Sequence, residues 1–306
     1  MDAPDAPRTD AADATADAFA LVGNEHRVAI LRALLAAHAD PETPYPTSFA
    51  TLRERAGVDV SAQFAYHLDA LVGAFVAKTG DGYRLRYPGW KAAAALAAGT
   101  YTDQRAFGPT AVPGECAHCR VAALHASYGD AWLTVACHGC ERVLTRYPFP
   151  PGAAAAHLDD GGVDALLSAF DDRVRSHFAL AVDGVCPECA GRTRTALAAV
   201  DDDASASQTA TRGDGHAIHA VADCETCGNH LTLPVGCALL ADPRTLALAA
   251  DRGVDLVDRP YWRLPELVGD AHVDRTGTSP LEATVSLDAD TTVTVTADLD
   301  VRHPGD

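Results

Sequence analysis

Cys116-Ala117-His118-Cys119 and Cys137-His138-Gly139-Cys140, followed by Cys186-Pro187-Glu188-Cys189 and Cys224-Glu225-Thr226-Cys227, use eight of the nine cysteines in 306 residues. A two-residue gap lets two thiolates converge on one ion from a tight turn. Two such turns complete a tetrahedral Zn²⁺ site with no coordination position left for a substrate. The pattern predicts two structural zinc ions per chain. Seventeen residues separate Cys119 from Cys137, room for one β-hairpin and close to zinc-ribbon spacing. Thirty-four separate Cys189 from Cys224, the excess lying in the polar run Asp201-Asp202-Asp203-Ala204-Ser205-Ala206-Ser207. The chain reads as a duplicated ribbon module, and the pairing of the four turns into sites stays open. Disulfides would need an oxidising compartment, and residues 1–20 hold Asp2, Asp5, Asp10, Asp13 and Asp17 rather than an apolar signal core. Cys237 reads as a buried apolar thiol. His118, His125, His138, His216 and His219 lie near the pairs, but eight cysteines already fill two sites, so these rings read as outer-sphere or surface groups.

Composition sets the surroundings. The chain carries 33 Asp and 9 Glu against 22 Arg and only 2 Lys, a net charge of −18. Small apolar residues dominate and aromatics are few, a profile suited to a cytoplasm of molar salt, where carboxylates hold a hydration layer. Net charge speaks to solubility and partners rather than to fold. Its distribution is uneven: residues 47–91 hold six Lys or Arg against four Asp or Glu, whereas residues 92–306 sum to −15. No stretch reaches the length of a transmembrane helix. A soluble, cytoplasmic protein without a membrane partner is expected.

Residues 1–17, rich in Asp, Ala and Pro, read as a disordered acidic tail. Residues 18–37 carry Val22, Ile30, Leu31, Leu34 and Leu35 at helical spacing. Three prolines mark 39–46 as a loop, Thr47 or Ser48 caps a short helix ending before Gly57, and Ser61 caps the next, with Phe64, Leu68, Leu71 and Val72 inward. Residues 75–79 and 83–87 flank Gly80-Asp81-Gly82 as a hairpin, and Pro88 opens a helix to about Ala98. Three helices, a hairpin and a fourth helix over residues 18–99 make a winged helix-turn-helix.

Asn24-Glu25-His26-Arg27-Val28-Ala29-Ile30-Leu31, the turn before Ser61, and His67-Leu68-x-x-Leu71 resemble the ArsR-like winged-helix regulators, especially the acidic forms of salt-adapted archaea. The remainder is similar, more loosely, to the ribbon-bearing extension attached to some of them. The resemblance implies transcription regulation. Metal-sensing members carry a cysteine motif on the recognition helix, and this chain has no cysteine before Cys116, so metal sensing through that helix is not implied.

In this motif the third helix enters the major groove by its N-terminal half. The positions there are Ser61, Ala62, Gln63, Tyr66 and His67. Gln63 suits a bidentate bond to adenine, and Tyr66 or His67 a base or phosphate, although His67 serves equally as a packed or capping ring. Arg53, Arg55, Lys78, Arg84 and Arg86 suit the phosphate backbone, the last three from the wing. A single winged helix has few base contacts, and molar salt weakens phosphate binding, so a homodimer on double-stranded DNA is expected. Its contact is assigned to residues 88–98 and 18–37, with Trp90 and Leu96 as anchors unless Trp90 closes the monomer's own core.

Beyond the first ribbon (112–150), residues 163–178 read as an amphipathic helix within a linker (151–180). The second ribbon (181–237) follows, and then a C-terminal α/β segment (238–306) with a helix at 243–251 and a hairpin of residues 283–287 and 292–296. Tyr261 and Trp262 read as core anchors. The fold class is α+β and multidomain. No Ser/His/Asp order, phosphate loop, Rossmann glycine pattern or open metal site supports an enzyme. The favoured function is a sequence-specific DNA-binding transcription regulator. The alternative is a general transcription component contacting RNA polymerase, similar to archaeal transcription factor E, which joins a winged helix to one ribbon rather than two.

Overall fold

The computed structural model describes residues 8–102, 105–199 and 218–305. The chain divides into two compact units, Met1–Asp103 and Gln104–Asp306, each with its own hydrophobic core. Both mix helices with small antiparallel sheets. Among the described residues no helix is long and apolar enough to cross a membrane.

The first unit runs α1 (Arg8–Val22), α2 (Glu25–Ala39), α3 (Phe49–Arg55), α4 (Ser61–Leu71), β1 (Val76–Thr79), β2 (Gly82–Leu85) and α5 (Tyr87–Ala97). Residues 8–17, expected as part of a disordered tail, are helical; Ala11, Ala12, Ala14 and Ala16 give the segment enough helix propensity to outweigh its aspartates. The expected tail's residues 1–7 lie outside the described residues. The single helix expected over 18–37 is two. Asn24 takes an extended backbone and its Oδ1 accepts from the amides of His26 and Arg27, so it ends one helix and caps the next. Ser48 caps α3 through Thr51 N–H. Ser61 does not cap α4: Val60 occupies that position without a side-chain bond.

Helix α4 buries Phe64, His67, Leu68 and Leu71, an i, i+3, i+4, i+7 stripe, against Ile30, Leu31 and Leu34 of α2 and Leu52 of α3. The β1–β2 hairpin pairs Val76 with Leu85 and Thr79 with Gly82. Thr47 extends it by exchanging amide bonds with Tyr83, both 2.9 Å. Gly82 is required at that crossing: its φ is +143°, and a Cβ there would stand 2.4 Å from the Thr47 carbonyl oxygen.

The second unit opens with sheet β3 (Phe107–Ala111), β4 (Leu124–Gly129), β5 (Trp132–Cys137) and β6 (Val143–Pro148), antiparallel in that order. The β4–β5 turn is carried by Asp130 and Ala131, both left-handed at φ 51° and 62°. Next comes α6 (Pro151–Val182), interrupted at Gly161-Gly162. Sheet β7 (Thr193–Ala199), β8 (Ile218–Cys224) and β9 (His230–Pro234) follows, then a 3₁₀ turn (Val235–Ala241), α7 (Pro243–Asp251) and α8 (Pro265–Val268). The last sheet is β10 (Val273–Thr278), β11 (Leu281–Ser286), β12 (Thr292–Val295) and β13 (Val301–Arg302). The expected C-terminal hairpin is its β11–β12 pair, with Ser286 opposite Thr292. The run Asp201 to Ser207 lies outside the described residues.

Helix α6 is no spacer. Leu166, Leu167, Phe170, Val174 and Phe178 are buried in one continuous core shared by all three sheets. Trp262 and Tyr261, 2 % and 1 % exposed, pack against Phe170 and Phe178 at ring distances of 5.6 and 6.0 Å. The segments 112–150, 151–180, 181–237 and 238–306 therefore belong to one compact body. An apolar helix face and apolar strand faces from each segment have only one another to pack against.

Candidate metal centres and nucleic-acid interface

Each Cys-x-x-Cys turn is built alike. Its second cysteine is followed by a residue in the left-handed region: Arg120 (φ 61°), Glu141 (59°), Ala190 (59°) and Gly228 (72°). Backbone amides also point at sulfur, from inside the turn in three cases and from just past it in the Cys186–Cys189 turn. Cys116 Sγ accepts from His118 N–H at 3.4 Å, Cys137 Sγ from Gly139 N–H at 3.3 Å, Cys189 Sγ from Gly191 N–H at 3.3 Å and Cys224 Sγ from Thr226 N–H at 3.3 Å. Such donors favour thiolate over thiol.

The turns join in chain order. Cys116, Cys119, Cys137 and Cys140 form one group and Cys186, Cys189, Cys224 and Cys227 another, with the sulfurs of each all within 4.8 Å. In the first, Cys116–Cys140 is 3.8 Å and Cys119–Cys137 is 3.6 Å; in the second, Cys186–Cys227 is 3.7 Å and Cys189–Cys224 is 3.5 Å. A tetrahedral ion with metal–sulfur bonds of about 2.3 Å needs sulfurs roughly 3.8 Å apart. A disulfide needs about 2.05 Å. The groups fit two metal ions, and all nine cysteines are free thiols. Each group sits on the same plan, turn, strand, strand, turn, strand, as β4–β6 and as β7–β9.

The thiols do not share four negative charges on their own. Burial pushes Cys116 up to about 12 against the N–H bonds from Cys119 and His118. In the other group the amide of Cys227, opposed by burial and helped by Thr226 N–H, brings Cys224 down to about 6. Metal binding would displace the remaining protons. The nearby histidines stay out of both ligand sets among the described residues. Arg142 Nη1 donates to His118 Nδ1 at 3.0 Å, spanning the two turns of the first group. His125 and His138 stack with centroids 3.6 Å apart. His219 lies on β8 opposite Pro234, and His216 is outside the described residues. Cys237 is buried in the core with its thiol pushed up to about 12 by that burial.

In the first unit, the exposed side of α4 carries Ser61, Ala62, Gln63 and Tyr66, the last 66 % exposed. Gln63 Nε2 is 2.8 Å from His26 Nε2 of α2. His67 is only 8 % exposed, its ring 5.0 Å from that of His26, and burial lowers its pKa. It occupies the i+3 position of the buried stripe and is not offered to a partner. Arg55 is held by Asp40 at 2.6 Å and by Thr43 Oγ1, and Arg86 Nη1 donates to Ala74 O at 3.3 Å. Lys78 lies 5.8 Å above the Tyr83 ring and Arg84 is exposed on the same hairpin; Arg53 is half-buried on α3. The structure thus leaves Gln63, Tyr66, Lys78 and Arg84 exposed, with Gln63 bonded to His26 and Lys78 over the Tyr83 ring, buries His67, and ties Arg55 and Arg86 to neighbouring groups. Trp90, 43 % exposed, does not close the unit's core. An apolar groove is lined by Ala18, Phe19 and Val22 of α1, Ala92, Ala95 and Leu96 of α5, and Tyr101. Sequence reasoning missed Phe19, because its helix was assigned to a disordered tail and to the start of a longer helix.

Residues 113–302 match the family model described as Domain of unknown function (DUF7351), and residues 15–96 match that described as Domain of unknown function (DUF7347). No curated protein and no solved structure matches the chain.

Proposed function

The chain belongs to the DUF7351 family, and we propose that it is a sequence-specific DNA-binding transcription regulator whose second unit is held together by two structural zinc ions. The first unit then acts as a winged helix-turn-helix of the ArsR-like kind, with α4 as recognition helix and the β1–β2 hairpin as wing. The observation that carries this reading is the pairing of an open, polar N-terminal half of α4 with a hairpin bearing exposed Lys78 and Arg84. Gln63 and Tyr66 read base edges, and Gln63 is held ready by His26. Lys78 and Arg84 contact phosphates and set register. Because counterion release fades at high salt, selectivity falls on the base contacts and on a homodimer. The apolar groove between α1 and α5, with exposed Phe19 on its rim, supports that dimer contact. The zinc ions complete the two four-cysteine groups and, being fully ligated, position no substrate.

The test is genomic footprinting in native salt, followed by operator binding of variants. A few defined sites are expected, with Gln63→Ala and Tyr66→Ala each losing about 1 to 3 kcal/mol of discrimination at single base pairs. Arg84→Ala weakens all sequences alike. Occupancy that follows RNA polymerase across promoters would replace the regulator by a general transcription component. Unchanged binding by all three variants would refute the groove assignment.

A further inference from the structure

The two four-cysteine groups share a geometry and differ in their surroundings. All four cysteines of the first are packed in or against the hydrophobic core of the second unit, Cys116 and Cys137 fully buried and Cys119 and Cys140 partly so. The Arg142–His118 bond ties its turns together, and Val121 closes on Gly139 beside Cys137 Sγ. The second group takes no part in that core. Cys186 and Cys224 are buried, but Cys189 and Cys227 are exposed. Its turns carry carboxylates, Glu188 and Glu225, where the first group has Ala117, His118, His138 and Gly139.

We propose that the Cys186, Cys189, Cys224, Cys227 centre is a thiol-oxidation site that releases its metal to a peroxide-class oxidant, while the Cys116 centre stays closed and structural. The inference rests on the reading that both centres hold zinc. Sulfur-to-sulfur proximity is the same in both, so access decides between them. In the second centre each exposed cysteine has a buried one whose sulfur is in reach, Cys189 with Cys224 at 3.5 Å and Cys227 with Cys186 at 3.7 Å. An accessible sulfur beside a resolving one is the arrangement of a redox-sensing pair.

The chemistry closes on itself. The Cys189 thiolate attacks hydrogen peroxide; an S–O bond forms, the O–O bond breaks, and hydroxide leaves. The Cys224 thiolate then attacks the sulfenic sulfur; an S–S bond forms, the S–O bond breaks, and a second hydroxide leaves. Two electrons pass from two thiolates to one peroxide, and both hydroxides become water with protons from solvent. Cys227 and Cys186 can repeat the sequence with a second peroxide. A zinc ion left with two thiolates or none departs, freeing the turns that bracket β7 and β8 and the Thr193 Oγ1 bond to Ala181 O at the end of α6.

The experiment uses the full chain as purified. Its zinc is counted by atomic emission, and hydrogen peroxide is added with a chromophoric zinc chelator present; disulfides are then mapped by mass spectrometry. Two zinc ions at the start should fall to one in a first phase, with Cys189–Cys224 or Cys186–Cys227 disulfides and no modification at Cys116, Cys119, Cys137 or Cys140. The second ion should leave at least about tenfold more slowly, the lower end of what outer-sphere protection contributes to a metal site. N-ethylmaleimide, an uncharged probe, should label Cys189 and Cys227 before Cys119 and Cys140. Loss of both ions in one phase, equal labelling, or first disulfides in the Cys116 group would overturn the proposal while leaving the zinc reading intact. A starting zinc content near zero would overturn both.

Discussion

Asp171 offers the sharpest test of how the second unit is held. It lies on α6, 8 % exposed, and its Oδ1 accepts the Tyr261 amide at 2.8 Å while Oδ2 accepts Arg175 Nε at 2.8 Å. Arg175 passes the link on, donating to Leu256 O at 2.8 Å and Arg259 O at 2.7 Å. This clamp fixes residues 256–261 against the helix and seats Tyr261 and Trp262 in the core. Asp171→Ala leaves a largely buried guanidinium without its counter-charge and orphans a buried amide. Breaking a buried pair from one side costs about 3 to 5 kcal/mol. An unsatisfied buried N–H costs about 1 to 3 kcal/mol, part of it already within that figure. We expect a loss of about 4 kcal/mol, or roughly 10 °C in the melting midpoint of a unit of this size. Asp171→Asn keeps an acceptor for Tyr261 N–H and should lose about half as much. The assay is calorimetry at neutral pH, in high salt, with zinc saturating and with both variants beside the parent. A loss below about 1 kcal/mol for Asp171→Ala would refute the clamp.

Three further outcomes rest on contacts elsewhere in the chain. Cys137→Ser, or zinc removal by a strong chelator, should open the β4–β6 sheet to proteolysis and leave α2–α5 protected; cleavage of both units at one rate would contradict two separate cores. His177, whose Nδ1 meets Tyr147 OH at 2.9 Å, is held neutral, its pKa brought down to about 4 by burial and then by Arg173. The unfolded ring gains its proton below about 6.5 and the folded ring only below about 4, so the stability it contributes is full above pH 6.5 and is lost as pH falls between those values. Relative to His177→Gln, with zinc saturating in both, the parent should lose about 1 to 2 kcal/mol over that range, less than the full shift because solvent screens a partly exposed ring, and parallel denaturation curves would contradict it. Light scattering on residues 8–102 in concentrated potassium chloride should report a dimer that Phe19→Asp dissociates; a strictly monomeric fragment would remove the α1–α5 groove as the contact.

Where the structure can be read directly from the chain, the information is local. The four Cys-x-x-Cys turns, the Gly80-Asp81 reversal, a cap at Thr47 or Ser48 and the Phe64, Leu68, Leu71 face of α4 depend on residues within one turn or one hairpin of each other. Spacing alone therefore names them, and the eight candidate metal ligands were legible residue by residue, though not their division into two groups. The turn after each second cysteine was not, because three of its four left-handed residues are Arg120, Glu141 and Ala190, types that carry no such signal. The failures nearby are competitions between local signals: alanine propensity against aspartate in α1, and Asn24 capping against continuous helical spacing in α2.

Tertiary structure decided everything that depends on which surfaces meet. Chain-order pairing of the cysteine turns follows from strand register, since β4 and β5 bring Cys137 back beside the first turn, and β7 and β8 do the same for Cys224. His67 sits at a position compatible with either a groove contact or a core contact, and only the packing of α4 on α2 buries it. Arg55 has the charge of a phosphate ligand until the loop after α2 supplies Asp40. The α6 stripe announces an apolar face without naming what covers it, and three sheets and the Tyr261-Trp262 segment supply the cover. Identical two-residue gaps within the turns likewise conceal unequal surroundings of the two cysteine groups: burial is a property of what packs around them, and the core that shields the first group stops short of Cys189 and Cys227.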